Sequence, residues 1–380
     1  MDETIDKKNE IVMKLIHYFI TEKNYNPIIL QGAENEIWLE NMDSEYKIVR
    51  IVSNHIHNEE QFEYDLFKTK HVVRKIKRKT LTFNMNVLSI FTDVRENVEL
   101  DNQKNYDCIY INEEKDIKKF NFVTNIFPDI VKKLKFSEEG MQLFIKITSD
   151  INKKNKKDQV QAEDIFKPKK PIVTYALIGI NVLVFAIMIL FNLYEDFINK
   201  FALFGPFVVE LKQVYRLFSC GFIHANIMHL LFNNYALFVI GSQIESFLGK
   251  TKYLIIYFFS MLSGSLLSII LSKGASVGAS GAIFGLMGAM LCFGHYYRAY
   301  IGTAVRSQIV PLIVVNLIIG FIFKNHIDNF AHVGGLIGGF LITSGLGIKY
   351  KSSTFDKTNG LILSILFILG LVLLAFKFVG

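Results

Sequence analysis

Residues 276–285 read SVGASGAIFG, a serine between glycines at the lip of a long apolar run. A serine in that place serves as a helix cap, as a small residue in close helix packing, or as a nucleophile. Two other apolar runs also open on polar residues. One begins HANIMHLLFNNY, so His229 and Asn233 lie four apart and share one helix face. The other begins NFAHVGGLIGGF and carries His332 one turn inside its start. A strongly polar or ionisable residue inside a membrane span is costly, and by default it marks a functional site. One alcohol, two imidazoles and one amide thus stand at the openings of three spans. A serine within hydrogen-bond reach of an imidazole is the pairing that activates a hydroxyl for attack on a carbonyl.

The glycines supply a way for these groups to meet. Gly281 and Gly285 are four apart, as are Gly335 and Gly339. Small residues at that spacing let two membrane helices approach closely. If the Ser280 and His332 runs pack through these faces, the two side chains come within about 2.6–3.2 Å. Taken singly, each GxxxG reads equally as plain packing, Ser280 as a cap and each histidine as a satisfied structural group. The constellation says more than its members.

The elements that must position them follow from composition. The chain has 380 residues, 51% of them hydrophobic, a net charge of +7 and a mean hydropathy of +0.30, too apolar for an ordinary soluble enzyme. Residues 1–150 are polar and predict a soluble α/β domain, 151–170 a basic polar linker, 171–350 a six-helix core, and 351–380 a loop and a seventh helix. A span needs roughly 20 apolar residues. The apolar runs are 172–191, 227–243, 253–271, 280–296, 309–323, 330–348 and 361–378. The fourth is short, so the connector SKGASVGA before it is expected to dip below the membrane surface, beside protein or a water-filled cavity. With the N-terminus inside, fourteen Lys and Arg flank the inner ends and six the outer ends. That bias places the N-terminus in the cytoplasm, the C-terminus outside and Ser280, His229 and His332 on the outer side. The lysines are read as holding a cytoplasmic face to anionic lipid, and no nucleic acid is expected. The start MDETIDKKNE lacks a cleavable signal, and Cys108, Cys220 and Cys292 suggest neither disulfides nor a zinc ribbon.

In the soluble part, 11–21, 59–77, 122–136 and 138–147 read as helices, and 36–40, 46–52, 86–91 and 106–111 as strands. The segment NHIHNEE sets His55 and His57 on one face of a strand, a candidate transition-metal pair against the alternative of a solvated loop. RKIKRK, 74–79, reads as a solvated or lipid-facing helix end.

Three ordered pieces, YRLFSCGFIHANIMHLLFN (215–233), GASGAIFG (278–285) and AHVGGLIGG (331–339), resemble the rhomboid family of intramembrane serine proteases. The resemblance covers about 171–350, and the seventh helix is like the extra C-terminal span of six-plus-one members. It implies a polytopic α-helical membrane protein with a rhomboid-like six-helix core, a seventh C-terminal helix and a preceding soluble α/β domain. By motif, Ser280 falls on the nucleophile of GxSG and His332 on the base of AHxxG. His229 and Asn233 fall on the oxyanion-hole side chains of HxxxN. Gly278, Gly281 and Gly335 are the motif glycines. Tyr215 and Arg216 fall on a Trp-Arg pair, with Tyr a departure. Phe284 stands where some members carry Tyr, able to stack on His332 but not to hydrogen-bond. Glu245 matches a structural acid. The resemblance implies single-span membrane substrates cleaved near the outer leaflet, entering beside the fifth helix under the loop FKNHIDN, 323–329, and no cofactor.

Competing chemistries lack their residues. His229 is flanked by Met228 and Leu230, so HExxH is absent, and the second glycine of GxSxG falls at Ala282. No span carries the two acids of an aspartyl protease. A non-catalytic rhomboid-like protein that binds membrane clients is the alternative. Such proteins lack the Ser or the His, and both are present here. A transporter or channel is disfavoured because mid-span charges and an inverted repeat are missing.

Overall fold

The computed structural model describes residues 6–30, 33–80, 82, 84–323 and 327–379. Two compact units meet in sequence between Val160 and Gln161.

The first unit is built on a five-stranded mixed sheet: β1 (Asn26–Ile28), β2 (Glu36–Glu40), β3 (Tyr46–Val52), β4 (Asn86–Phe91) and β5 (Tyr106–Tyr110), ordered as in the sequence. The first three strands are antiparallel, while β3, β4 and β5 are parallel, as the crossover helix Glu59–Thr80 between β3 and β4 requires. Alternation along β3 decides what each face meets. Val49 and Ile51 join the core with Leu15, Phe19, Phe127 and Ile130, while Ile48 packs with Trp38 and Val73 of the crossover helix. Arg50 shares the crossover-helix face and is 1% exposed. Asp65 accepts from its Nη1 at 2.6 Å and Nη2 at 2.5 Å, and Glu36 from its Nε at 2.9 Å, so the buried cation is paired rather than stranded.

Several expectations change here. The helix expected over 122–136 is two short ones, Asn121–Ile126 and Ile130–Lys133, because Pro128 between them cannot donate a helical hydrogen bond. The strand Asn26–Ile28 was not anticipated, since three residues carry no period. The helix expected over 138–147 is longer: it runs Gly140–Phe166, through most of the polar segment 151–170. Its charged residues favour helix as readily as solvent-exposed coil.

Among the described residues, the second unit has six helices long and apolar enough to cross a membrane: Ile172–Leu190, Ile227–Leu248, Lys250–Leu271, Arg298–Ile322, Asn329–Leu346 and Thr354–Phe378. The seventh is the shorter apolar helix Ser280–Tyr296, fourth in order. The fifth starts earlier than expected, at Arg298 rather than 309. A π turn at Val305–Ile309 joins its two parts and carries the polar residues Arg306, Ser307 and Gln308 that interrupt the apolar pattern. Another π turn, Leu237–Gly241, sits inside the second span. The last helix begins at Thr354, with Ser353 at its start accepting from Asp356. The fourth span is the axis of the bundle, with nearly every side chain from Gly281 to Gly294 buried.

Its glycines explain why so short a helix can be so enclosed. A Cβ at Gly285 would collide with the Ser260 side chain, and one at Gly288 with the Leu336 carbonyl. One at Gly335 would strike the Gly281 carbonyl, and one at Gly339 the Gly285 carbonyl. The fourth and sixth spans therefore touch backbone to backbone, as the paired GxxxG spacings predict. At the other end of the first span, Glu245 is buried and accepts from Val173 N (3.0 Å), Thr174 N (2.8 Å) and Thr174 Oγ1 (2.8 Å). These first-turn donors have no intrahelical acceptor, and a carboxylate also suits the positive end of the helix.

Candidate active site

Gly278 creates the entry to the site. Its φ of +116° suits glycine, and its N–H donates to the Cys220 carbonyl at 2.9 Å. Just upstream, Ser276 and Leu203 exchange two backbone hydrogen bonds of 2.9 Å. The connector is thus pinned to the outer loop before the chain turns into the fourth span. Ala279 occupies the cap position and no side chain caps the helix. Ser280 is the first helical residue, so its hydroxyl is not a cap and its N–H is among the first-turn donors without an intrahelical acceptor.

That hydroxyl lies 2.8 Å from Nε2 of His332. His332 is 7% exposed, and its ring stacks on Phe284 with centroids 4.2 Å apart and planes 6° from parallel. Phe284 is one turn beyond Ser280, so a single helix carries both the hydroxyl and the surface that orients the imidazole. Nδ1 of His332 is buried and has no partner among the described residues, so no carboxylate orients the ring. The sixth span is started by Asp328, whose Oδ1 accepts from Ala331 N at 3.1 Å and whose Oδ2 accepts from Ser268 Oγ. That cap sets the register of His332 against Ser280.

His229 and Asn233 come from the second span. Asn226 caps this helix by accepting from His229 N at 2.9 Å, and Asn233 Nδ2 donates to the His229 carbonyl at 3.1 Å. Both side chains converge on Gly278. A Cβ there would sit 2.6 Å from His229 Cε1 and Nε2 and 3.5 Å from Asn233 Nδ2. The four polar groups picked from three spans therefore gather around one turn of backbone. Sequence reasoning passed over His224, which is fully buried with its ring centroid 5.2 Å from that of His229. Its place in HANIMH, five residues before His229, gave it no shared helix face.

The remaining candidates serve the scaffold. Arg216 is 3% exposed and donates to Gln213 Oε1 (2.6 Å), the Ala202 carbonyl (2.6 Å) and the Asn199 carbonyl (2.7 Å). It ties the outer loop to itself. Tyr215 is half exposed, and its hydroxyl reaches the Lys200 carbonyl at 3.0 Å. The fifth span is the least enclosed, with Phe321 64% and Ile322 68% exposed. Asn329, at the start of the sixth span, ties it in by donating to the Leu317 carbonyl at 2.9 Å. The cap expected over 323–329 falls partly on 324–326, outside the described residues.

His55 and His57 do meet, with ring centroids 4.2 Å apart, but His55 Nδ1 lies 2.6 Å from Asp93, which also binds the Lys8 ammonium. A cation already occupies the carboxylate. Among the described residues no group of three His, Cys, Asp or Glu could hold a metal.

Residues 211–349 match the family model of the Rhomboid domain. The rhomboid protease GluP of Bacillus subtilis (strain 168) is 28% identical over 346 residues, covering 87% of this chain and 68% of that protein. RHOMBOID-like protein 1 of Arabidopsis thaliana is 37% identical over 158 residues, 40% of this chain and 39% of the relative. The putative rhomboid protease YdcA of Bacillus subtilis is 35% identical over 131 residues, 34% of this chain and 65% of that protein. The chain thus spans less than half the length of the plant relative it matches.

Proposed function

We propose, from the premise that this chain belongs to the rhomboid family of multi-pass membrane proteins, that it is an intramembrane serine endopeptidase acting through a Ser280–His332 dyad. The observation that carries this reading is the 2.8 Å approach of Ser280 Oγ to His332 Nε2, between residues fifty-two positions apart. Nε2, unprotonated, takes the hydroxyl proton as Oγ attacks the scissile carbonyl carbon. The carbonyl oxygen becomes an oxyanion facing the Ser280 N–H and the His229 and Asn233 side chains. Removing one such donor typically costs about 10²–10³ in rate. His332 then gives the proton to the leaving amine, and the acyl-enzyme remains. Water enters, loses its proton to Nε2 and attacks the acyl carbon; Nε2 then returns that proton to Ser280 Oγ as the ester bond breaks, releasing the new carboxyl group and restoring the hydroxyl. Phe284 stacking does the orienting work that a third acid does elsewhere.

The substrates are single-span membrane proteins whose helix unwinds near the outer leaflet, because the scissile amide must leave its helical hydrogen bond to be attacked. The thinly packed fifth span supports entry beside it. The charge bias of the flanks supports a cell-membrane protein with the N-terminus in the cytoplasm and the C-terminus outside. The soluble domain is assigned regulation or client recruitment.

Cleavage of a single-span reporter in proteoliposomes tests the assignment. Ser280→Ala and His332→Ala are expected to abolish cleavage and labelling by a fluorophosphonate probe, and Asn233→Ala to weaken both. Cleavage retained by a folded Ser280→Ala variant refutes the dyad, and a wild-type chain that binds the reporter without cutting it favours the client-binding alternative.

A further inference from the structure

At the end of the bundle opposite Ser280, helix termini surround a cavity of about 660 Å³. It lies between the approach to the first span, the second-to-third turn, the end of the fourth span and the sixth-to-seventh connection. Four lysines line it: Lys169, Lys252, Lys349 and Lys357. Lys252 is held in place by donating to the carbonyls of Leu346 (2.9 Å) and Gly347 (2.5 Å), which end the sixth span. Lys349 pairs with Asp164 at 2.8 Å. Lys357 lays its stem over the turn at Gly347, whose φ is +72° and where a Cβ would meet Lys357 Cε at 2.5 Å. Neither the Lys169 nor the Lys357 ammonium has an acceptor among the described residues. One carboxylate therefore answers four ammonium groups.

The floor of the same cavity is apolar. Ile165, Phe293 and Ile348 are each 2% exposed or less. Phe247 stacks on Phe293 with centroids 4.7 Å apart, and both line the space. A cluster of cations above an apolar floor, at the ends of the long apolar helices, matches one chemistry: a phosphate joined to a glycerol and acyl chain. A purely soluble anion has no use for the floor, and a neutral lipid has none for the lysines.

We infer that this cavity is a discrete binding site for the headgroup of an anionic phospholipid, with the phosphodiester oxygens accepting from Lys169 and Lys357 and the glycerol backbone resting on Ile165, Phe293 and Ile348. The inference does not depend on the hydrolytic assignment, and its test reads binding rather than turnover. The full-length chain, delipidated in detergent, is titrated with phosphatidylglycerol, phosphatidylcholine or inorganic phosphate, with adducts counted by native mass spectrometry and a thermal melt run in parallel. Phosphatidylglycerol is expected to bind in preference to phosphatidylcholine and to resist displacement by millimolar phosphate. Lys169→Gln/Lys357→Gln is expected to weaken it by about tenfold. Lys169→Arg/Lys357→Arg is expected to retain it, and Lys200→Gln/Lys273→Gln, at the opposite end of the bundle, to leave it unchanged. The site is overturned by equal binding of the two lipids, by wild-type binding in the Gln pair, or by an equal loss in the control pair. Displacement by inorganic phosphate overturns the lipid in favour of a soluble anion.

Discussion

Gly278→Ala is a sharp probe of how the backbone serves the chemistry, because it adds one methyl group and removes no functional side chain. The new Cβ stands 2.6 Å from two atoms of the His229 ring, where ordinary contact begins at 3.4 Å, so the ring must retreat by about 1 Å. A φ of +116° adds backbone strain of about 1–3 kcal/mol for any residue with a side chain. A misplacement of that size costs about 10²-fold in rate, and full loss of an oxyanion donor costs about 10²–10³. Turnover of a single-span reporter is therefore expected to fall about 10²–10³-fold, while the 2.8 Å Ser280–His332 contact, which does not involve the second span that carries His229, is expected to persist. The discriminating assay is a double-mutant cycle with His229→Ala. If the methyl group acts by displacing His229, it costs little in a chain already lacking that ring. Equal, additive losses in both backgrounds refute the reasoning, as does near-wild-type turnover of the single variant.

Other outcomes follow from the packing and the charges. Gly339→Ala drives a Cβ into the Gly285 carbonyl, so it is expected to cost about 1–3 kcal/mol and most activity, whereas Gly370→Ala, with nothing within 4 Å, is expected to change neither. Unfolding in mixed micelles with the reporter assay checks both. Glu245→Ala strips the first span of three hydrogen bonds and is expected to lower stability by about 3 kcal/mol while leaving the turnover of the folded fraction intact. In the soluble unit, burial alone would push the Glu36 carboxyl up, but the Arg50 guanidinium and the Trp38 indole N–H outweigh it and hold it below its ordinary 4.5. A carboxyl depressed by folding stabilises above its unfolded value, and that contribution is lost as pH falls through the depressed one. Trp38, the only tryptophan, should therefore report a loss of structure by fluorescence below about pH 4.5, shallower in Glu36→Gln. An identical acid profile in the variant removes Glu36 from the account.

Some of this protein was legible in one dimension. Spans show as runs of apolar residues because a helix crossing lipid must bury its backbone polar groups internally and present carbon outward. The short β-branched and apolar runs 46–52 and 86–91 show as strands because that preference is also a property of neighbours along the chain. The paired glycine spacings of 281/285 and 335/339 pointed to the helices that touch, since only small residues permit that approach. Irregularities were not legible: the π turns at Leu237–Gly241 and Val305–Ile309 and the strand Asn26–Ile28 answer to partners distant in the chain rather than to local period. Nor did NHIHNEE disclose that His55 would meet Asp93, already bound to Lys8.

By itself, the sequence determined which groups were available for chemistry, at which helix openings they stand, and which faces are smooth enough to meet. Only the tertiary structure decided that a hydroxyl and an imidazole from the fourth and sixth spans approach within 2.8 Å, that Phe284 holds the ring, and that four lysines from three distant stretches of the chain line one cavity. The reason is that period and propensity are properties of neighbours along the chain. A distance between two side chains is set by the packing of whole helices, and here by glycines that let backbone touch backbone.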